Sequence, residues 1–183
     1  VDRKDLIDGR RYTYVVLATD SRGRTSPPSP RRSVVYIVAP EPPGPLSGEG
    51  GEREARLAWE PPRRLQDGRP LTGALTYEVL RAVSPDAPPV PVTAAPIADP
   101  RYTDAGLENE QTYHYAVRAI RADAGGIAQS DLSPPIAVTP RDMTLPSPPT
   151  GLVVLPSAGT ARLAWQASPE PDVAGYVIYR EGA

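Results

Sequence analysis

A chain of 183 residues with 25 prolines and 15 glycines has room for one large domain, or about one and a half domains of ~100 residues, and is poor material for helix. Its net charge of -2 predicts no general attraction to nucleic acid or to an anionic membrane, and no apolar run approaches the ~18 residues that span a bilayer. With no cysteine, disulfides, thiolate metal sites and cysteine catalysis are excluded together.

In chain order, the first patterned stretch is LIDGRRYTYVVLATD at 6–20, which returns as LENEQTYHYAVRAIR at 107–121. SPPSPRRSVVYIVAP at 26–40 follows and is matched by DLSPPIAVTP at 131–140. REARLAWEPP at 53–62 is echoed by GTARLAWQAS at 159–168, which aligns Trp59 with Trp165. LTYEVLRA at 75–82 is echoed by AGYVIYRE at 174–181, which aligns Tyr77 with Tyr176. Tyr12 and Tyr113 are 101 residues apart, and Tyr77 and Tyr176 are 99 apart. A period near 100 is far longer than that of solenoid repeats, so each unit is expected to be a self-sufficient domain.

Within a unit the periodicity is two. Ala55, Leu57 and Trp59 alternate with Glu54, Arg56 and Ala58. Tyr113, Tyr115, Val117 and Ala119 alternate with His114, Ala116, Arg118 and Ile120. One set of each should face a core and the other should face outward. The segments are short and separated by Pro, Gly, Ser and Asp clusters, the pattern of an all-β sandwich.

These segments resemble the fibronectin type III repeat in the form found in exported bacterial proteins. The points of resemblance are ARLAW, ending in a core tryptophan, GYVIYR, and the Leu-x5-Tyr-x-Tyr-x-Val-x-Ala pattern that occurs twice. The resemblance covers nearly the whole chain. It implies an immunoglobulin-like β-sandwich with one complete module flanked by two partial ones. Residues 1–40 would supply the C-terminal part of a module, the end of strand E and then F and G. Residues 41–140 would be complete, with A near 45–48, B at 53–59, C at 75–81, C′ near 90–94, E at 100–104, F at 111–120 and G at 134–139. Residues 147–183 would supply the N-terminal part of a further module, strands A, B and C. The resemblance also makes Tyr113 and Tyr12 corner tyrosines, bonding back to the main chain near Leu107 and Leu6. The structural core would comprise Trp59, Tyr77, Leu107, Tyr113, Leu6, Tyr12, Trp165 and Tyr176.

A half sandwich leaves a sheet face bare and strand edges unpaired, which invites pairing with another chain. The two partial modules are complementary. Either the chain is a portion of a longer multi-module protein, or neighbouring chains complete each other by strand exchange. The linkers APEPPGPL at 39–46 and TPRDMTLPSPPTGL at 139–152 are proline-rich, hence extended and semi-rigid, with modules set end to end.

The residues offer no catalytic constellation. The single histidine, His114, alternates with core tyrosines and should point outward, with no serine or carboxylate marked as its partner. The carboxylates are scattered, without EF-hand spacing. PEPD at 169–172 reads as a polar turn, and GEGGE at 48–52 reads as an A–B turn without the lysine of a phosphate loop. No cofactor or metal is expected. From Trp59 to Tyr77 is 18 residues and from Trp165 to Tyr176 is 11, so the B–C loop at 61–73 is enlarged. B–C and F–G loops share a pole in this fold, and loops on a rigid scaffold are where binding residues concentrate. Arg63, Arg64, Asp67 and Arg69 would then sit near Asp123 to Gln129 as candidate partner contacts, with Arg22 and Arg24 in the F–G loop of the first part. The bland alternative is a longer solvated loop.

The resulting expectation is a non-enzymatic spacer and docking segment of a bacterial extracytoplasmic protein: periplasmic, on the cell surface or secreted. A lipoprotein or an accessory subunit of a larger assembly would be particular forms. Its partners would be other protein modules, with strand complementation between partial modules as one route. The rival is an accessory region of a secreted polysaccharide-degrading enzyme.

Overall fold

The computed structural model describes residues 5–181. Every regular element among them is a strand. In chain order these are β1 (Arg10–Tyr14), β2 (Arg32–Tyr36), β3 (Leu46–Gly51), β4 (Glu54–Trp59), β5 (Leu75–Ala82), β6 (Val90–Pro91), β7 (Arg101–Ala105), β8 (Tyr113–Asp123), β9 (Gly126–Gln129), β10 (Ile136–Val138), β11 (Thr150–Ser157) and β12 (Thr160–Gln166). Two compact units divide at Asp142, and each is described separately.

In the first unit β3, β4 and β7 form one antiparallel sheet. The other runs β10-β8-β5-β6, with β9 also pairing with β8. The period-two pattern of ARLAW sends Ala55, Leu57 and Trp59 inward, where they meet Tyr77 and Val79 from β5 and Tyr113, Tyr115, Val117 and Ala119 from β8. The Trp59 and Tyr77 rings pack edge to face with centroids 5.3 Å apart, an arrangement the ring quadrupoles favour. Alternation is not strict on β8: Ala116 and Ile120, expected outside, are buried as well. β8 is the central strand, flanked by β5 on one side and by β9 and β10 on the other, so neighbouring side chains shade its outer face. His114 is half-buried for the same reason.

Both corner tyrosines form. The Glu108 amide donates to the Tyr113 hydroxyl at 3.2 Å, and the Ile7 amide donates to the Tyr12 hydroxyl at 2.8 Å. The Tyr12 hydroxyl itself donates to the Asp5 carbonyl at 3.2 Å. Tyr113→Phe deletes only that bond, so it is expected to cost about 1 kcal/mol, read as a shift of the denaturant midpoint with unchanged slope.

Four expectations need correcting. GEGGE is not a turn: Gly48 to Gly51 continue β3, and the reversal falls at Glu52 and Arg53, where Arg53 has φ 54°. Glycine is needed in that strand because a Cβ on Gly50 would stand 2.1 Å from the Thr139 carbonyl oxygen. The 39–46 segment is more than an extended, semi-rigid linker, because it is tied into the first unit. Pro40 is fully buried and bridged to Leu65, the Glu41 amide donates to the Arg64 carbonyl, and the Gly44 amide donates to the Glu60 carbonyl. Residues 174–181 form no strand C, since in the first unit the equivalent β5 is held by β8 and nothing among the described residues plays that part here. Finally, Leu6, Tyr12 and Trp165 are only half-buried and Tyr176 is 38% exposed, because among the described residues no second sheet covers them. Most of the E strand expected in the first part lies outside the described residues.

The remaining sheets are two-stranded. β1 pairs with β2 in the first unit, and β11 pairs with β12 in the second. Trp165 and Tyr176 repeat the edge-to-face geometry at 5.4 Å.

Candidate interaction site at the loop pole

The enlarged B–C loop folds on itself. The Leu65 amide donates to the Arg69 carbonyl at 2.9 Å, the Leu71 amide to the Arg63 carbonyl at 2.9 Å, and Arg64 Nη1 to the Gly68 carbonyl at 3.1 Å. Gly68, at φ 84°, supplies the left-handed residue that turns it. Asp67 accepts from the Arg69 amide at 3.1 Å and from Arg69 Nε at 2.7 Å, which fixes the Arg69 guanidinium and leaves its Nη2 free to bond elsewhere.

Arg69 Nη2 then reaches Asp8 Oδ2 at 3.0 Å, sixty-one residues earlier in the chain. Asp8 Oδ1 accepts from the Val38 amide at 2.8 Å and faces Arg121 Nη1 at 3.4 Å. Arg121 Nη1 also donates to the Val38 carbonyl at 3.1 Å, and its Nη2 is paired with Asp123. The Arg121 side chain is 7% exposed, and among the described residues its Nε has no acceptor. Beside this network the backbone of β9 closes on β2: a Cβ on Gly126 would stand 2.7 Å from the Val35 carbonyl oxygen. Val35, Ile37 and Leu65 are buried there, and the Gln66 amide donates to the Ala39 carbonyl at 3.0 Å.

The carboxyls are tuned by this surrounding. Burial pushes Asp8 up, but the Val38 amide and the Arg69 and Arg121 guanidiniums more than offset it and hold the group below its ordinary value. Asp67 behaves similarly, raised by burial and brought down further by Arg69.

The structure therefore brings Arg64, Asp67, Arg69 and Asp123 to one pole, against residues 8 and 35–39 of the same chain. Arg63 is exposed beside them. Asp123 to Gln129 are not a long F–G loop: Asp123 ends β8, Gln129 ends β9 opposite Ile120, and only Ala124 and Gly125 turn between the strands. Long F and G strands pair further than the sequence indicates because Ile127 and Ala128 continue the ladder. Arg22 and Arg24 lie elsewhere, in a turn that Asp20 organises by accepting both their amides at 2.9 Å. Asp8 and Arg121 were not legible as site residues. The only sequence signal was an arginine and an aspartate at the ends of otherwise apolar stretches. Among the described residues no group of three or more His, Asp or Glu side chains is placed to hold a metal ion.

No family model matches the chain. It is 29% identical over 182 residues to Exoglucanase B of Cellulomonas fimi, covering 92% of this chain and 16% of that protein. It is 25% identical over 167 residues to human Myomesin-2, covering 88% of this chain and 11% of that one. A solved Fn3-like protein from Clostridium thermocellum aligns with 58% of this chain and 99% of its own at 23% identity and a TM-score of 0.44. The deciding observation is internal: strands A, B and E (β3-β4-β7) face G, F, C and C′ (β10-β8-β5-β6), with a corner tyrosine at the start of F. The fold is a sandwich of the fibronectin type III kind. In fibronectin type III terms, the pole built by Arg69, Asp8 and Arg121 is where the B–C loop of the sandwich meets residues 8 and 38 of the same unit.

Proposed function

We propose that this chain is a non-catalytic spacer and interaction segment of a larger bacterial extracytoplasmic protein, in which successive repeats are held in fixed mutual orientation. The observation that carries the reading is the use made of the loops. Arg69 and Arg121, on the pole where a foreign partner would dock, are engaged by Asp8 and Val38 of the same chain, which this reading assigns to a preceding repeat. A surface occupied by its own neighbour supports spacing before recognition. Residues outside the described span would decide whether the parent is a lipoprotein or an accessory subunit. The likeness to Exoglucanase B favours a second reading, an accessory region of a secreted polysaccharide-degrading enzyme.

The absence of cysteine makes the test simple, since labels attach only where thiols are introduced. Spin labels at Arg11→Cys and Arg101→Cys, both exposed, should give one narrow distance distribution. Asp8→Ala should broaden it. Because the Asp8 carboxyl is lowered in the folded chain, its contribution is complete above the ordinary value of 3.8 and is lost as pH falls through its own lowered value. Broadening in the unsubstituted chain should therefore begin only below that point. A distribution already broad at neutral pH would overturn the spacer reading. Release of sugar from a glucan by this chain alone would overturn the non-catalytic one.

A further inference from the structure

We propose that a pocket on the outer face of the β10-β8-β5-β6 sheet, floored by His114, binds one uncharged phenol ring. The pocket goes beyond the spacer reading and does not depend on it.

Tyr115 and Val117 face the core, so alternation along β8 turns His114 and Ala116 to the opposite face of the sheet. Ala82 on β5 stands opposite His114. The two alanines are small, so the sheet is hollow here, and the chain rises on both sides of the hollow. Pro85 and Pro89 form one wall, and Leu132 and Pro135 form the other. The enclosed space is about 260 Å³. Its walls are held before any ligand arrives. The Ala87 amide donates to the Ser84 carbonyl at 3.2 Å, and the Ser133 amide donates to the Val117 carbonyl at 2.8 Å. Each proline ring locks its own φ. All of these residues lie within the sandwich built from β3 to β10.

The lining selects the chemistry of the ligand. It contains no Asp, Glu, Lys or Arg, so a charged ligand would lose its hydration and gain no counter-charge. The volume exceeds the ~150 Å³ of an apolar cavity that holds benzene and falls short of the ~300 Å³ at which sites for drug-sized ligands begin. That is room for one ring with a small substituent. The polar side chains of the lining are His114, Ser84 and Ser133. The Ser133 hydroxyl is already engaged, accepting from the Val117 amide at 3.1 Å and donating to the Pro134 carbonyl at 3.2 Å. The His114 ring and the Ser84 hydroxyl make no bond among the described residues. Two open groups are too few for the several hydroxyls of a hexose, which would be buried unpaired. A plain hydrocarbon ring would displace water from His114 and leave the imidazole nitrogens unpaired. One ring with one hydroxyl meets both demands: its apolar body lies against the prolines and Leu132, and its hydroxyl bonds to the imidazole.

His114 is the chain's single histidine, so its Cε1 proton is one resolved signal in the magnetic resonance spectrum of the whole chain. Titration with p-cresol should move that signal saturably. Toluene lacks the hydroxyl and should bind about fivefold more weakly, while methyl glucoside and benzoate should not saturate. N-acetyl-tyrosinamide separates the two sources of the ring. Saturation at or below the p-cresol concentration assigns the phenol to a side chain of a partner protein, and weaker or no binding assigns it to a free phenol. Leu132→Asp alters a wall side chain that is 38% exposed and sets a charge beside the ring. It should weaken p-cresol binding at least about tenfold with thermal unfolding unchanged. Ala87→Leu fills the space from the other wall and should do the same, which keeps the test decisive if either variant fails to fold. Absence of a saturable shift with p-cresol, equal affinity for toluene, saturation by methyl glucoside or benzoate, or undiminished binding by a folded variant would each overturn the proposal.

Discussion

Trp59→Ala should destabilise the first unit by about 3–5 kcal/mol, while Trp165→Ala should cost the second unit much less. Trp59 is 5% exposed and sits between both sheets, so its loss leaves a cavity that Tyr77, Val79, Leu107 and Val117 cannot fill. Trp165 has the same ring partner in Tyr176 but only one sheet beneath it. The Trp59 Nε1 finds no acceptor among the described residues, so part of the indole's apolar gain is offset by an unsatisfied donor. Trp59→Phe should accordingly be far milder, about 1 kcal/mol. The two tryptophans are the chain's complete set. Guanidinium unfolding of each variant is therefore followed by circular dichroism, which does not depend on either indole. If Trp59→Ala moved the midpoint no more than Trp165→Ala, the two-sheet core would be wrong.

The second large effect is expected at Asp104, which is buried and accepts from the Tyr115 hydroxyl at 2.8 Å and from Arg81 Nη1 at 2.7 Å, both on Oδ2. Tyr115 is fully buried. Burial first, then the Asp104 hydrogen bond and charge, push the Tyr115 hydroxyl well above its ordinary value, so it stays a donor throughout the physiological range. Asp104→Ala strands that donor and leaves the partly buried Arg81 guanidinium without its counter-charge, at a cost of about 3 kcal/mol. Asp104→Asn keeps an acceptor for Tyr115 and should cost less. Tyr115→Phe combined with Asp104→Ala should cost less than the separate losses added together, because the stranded hydroxyl is then gone. Denaturant midpoints of these variants read the comparison directly, and additive losses would show that the three groups do not act together.

The sheets were legible because their signal is local. ARLAW and YHYAVRA alternate over a few residues, and the aromatic spacings recur a hundred residues later. The network at the loop pole had no such signal. Asp8 meets Arg69 and Arg121 across 61 and 113 residues, and nothing in the neighbourhood of an arginine announces that a fold will bury it. By sequence alone GEGGE reads as a turn. Here glycine answers a demand from Thr139, a residue in contact only after folding. Residues 174–181 have a strand's pattern, yet a strand needs an edge to lie against, and pattern alone cannot say whether one is present.

Gly126 and Arg121 fit the particular residues that lie against them, Val35 and Asp8. At the positions one repeat away, Asp8 is answered by Asn109 and Arg121 by Asp20. A sandwich copied to a new place in the array would arrive with a guanidinium and no carboxylate to receive it.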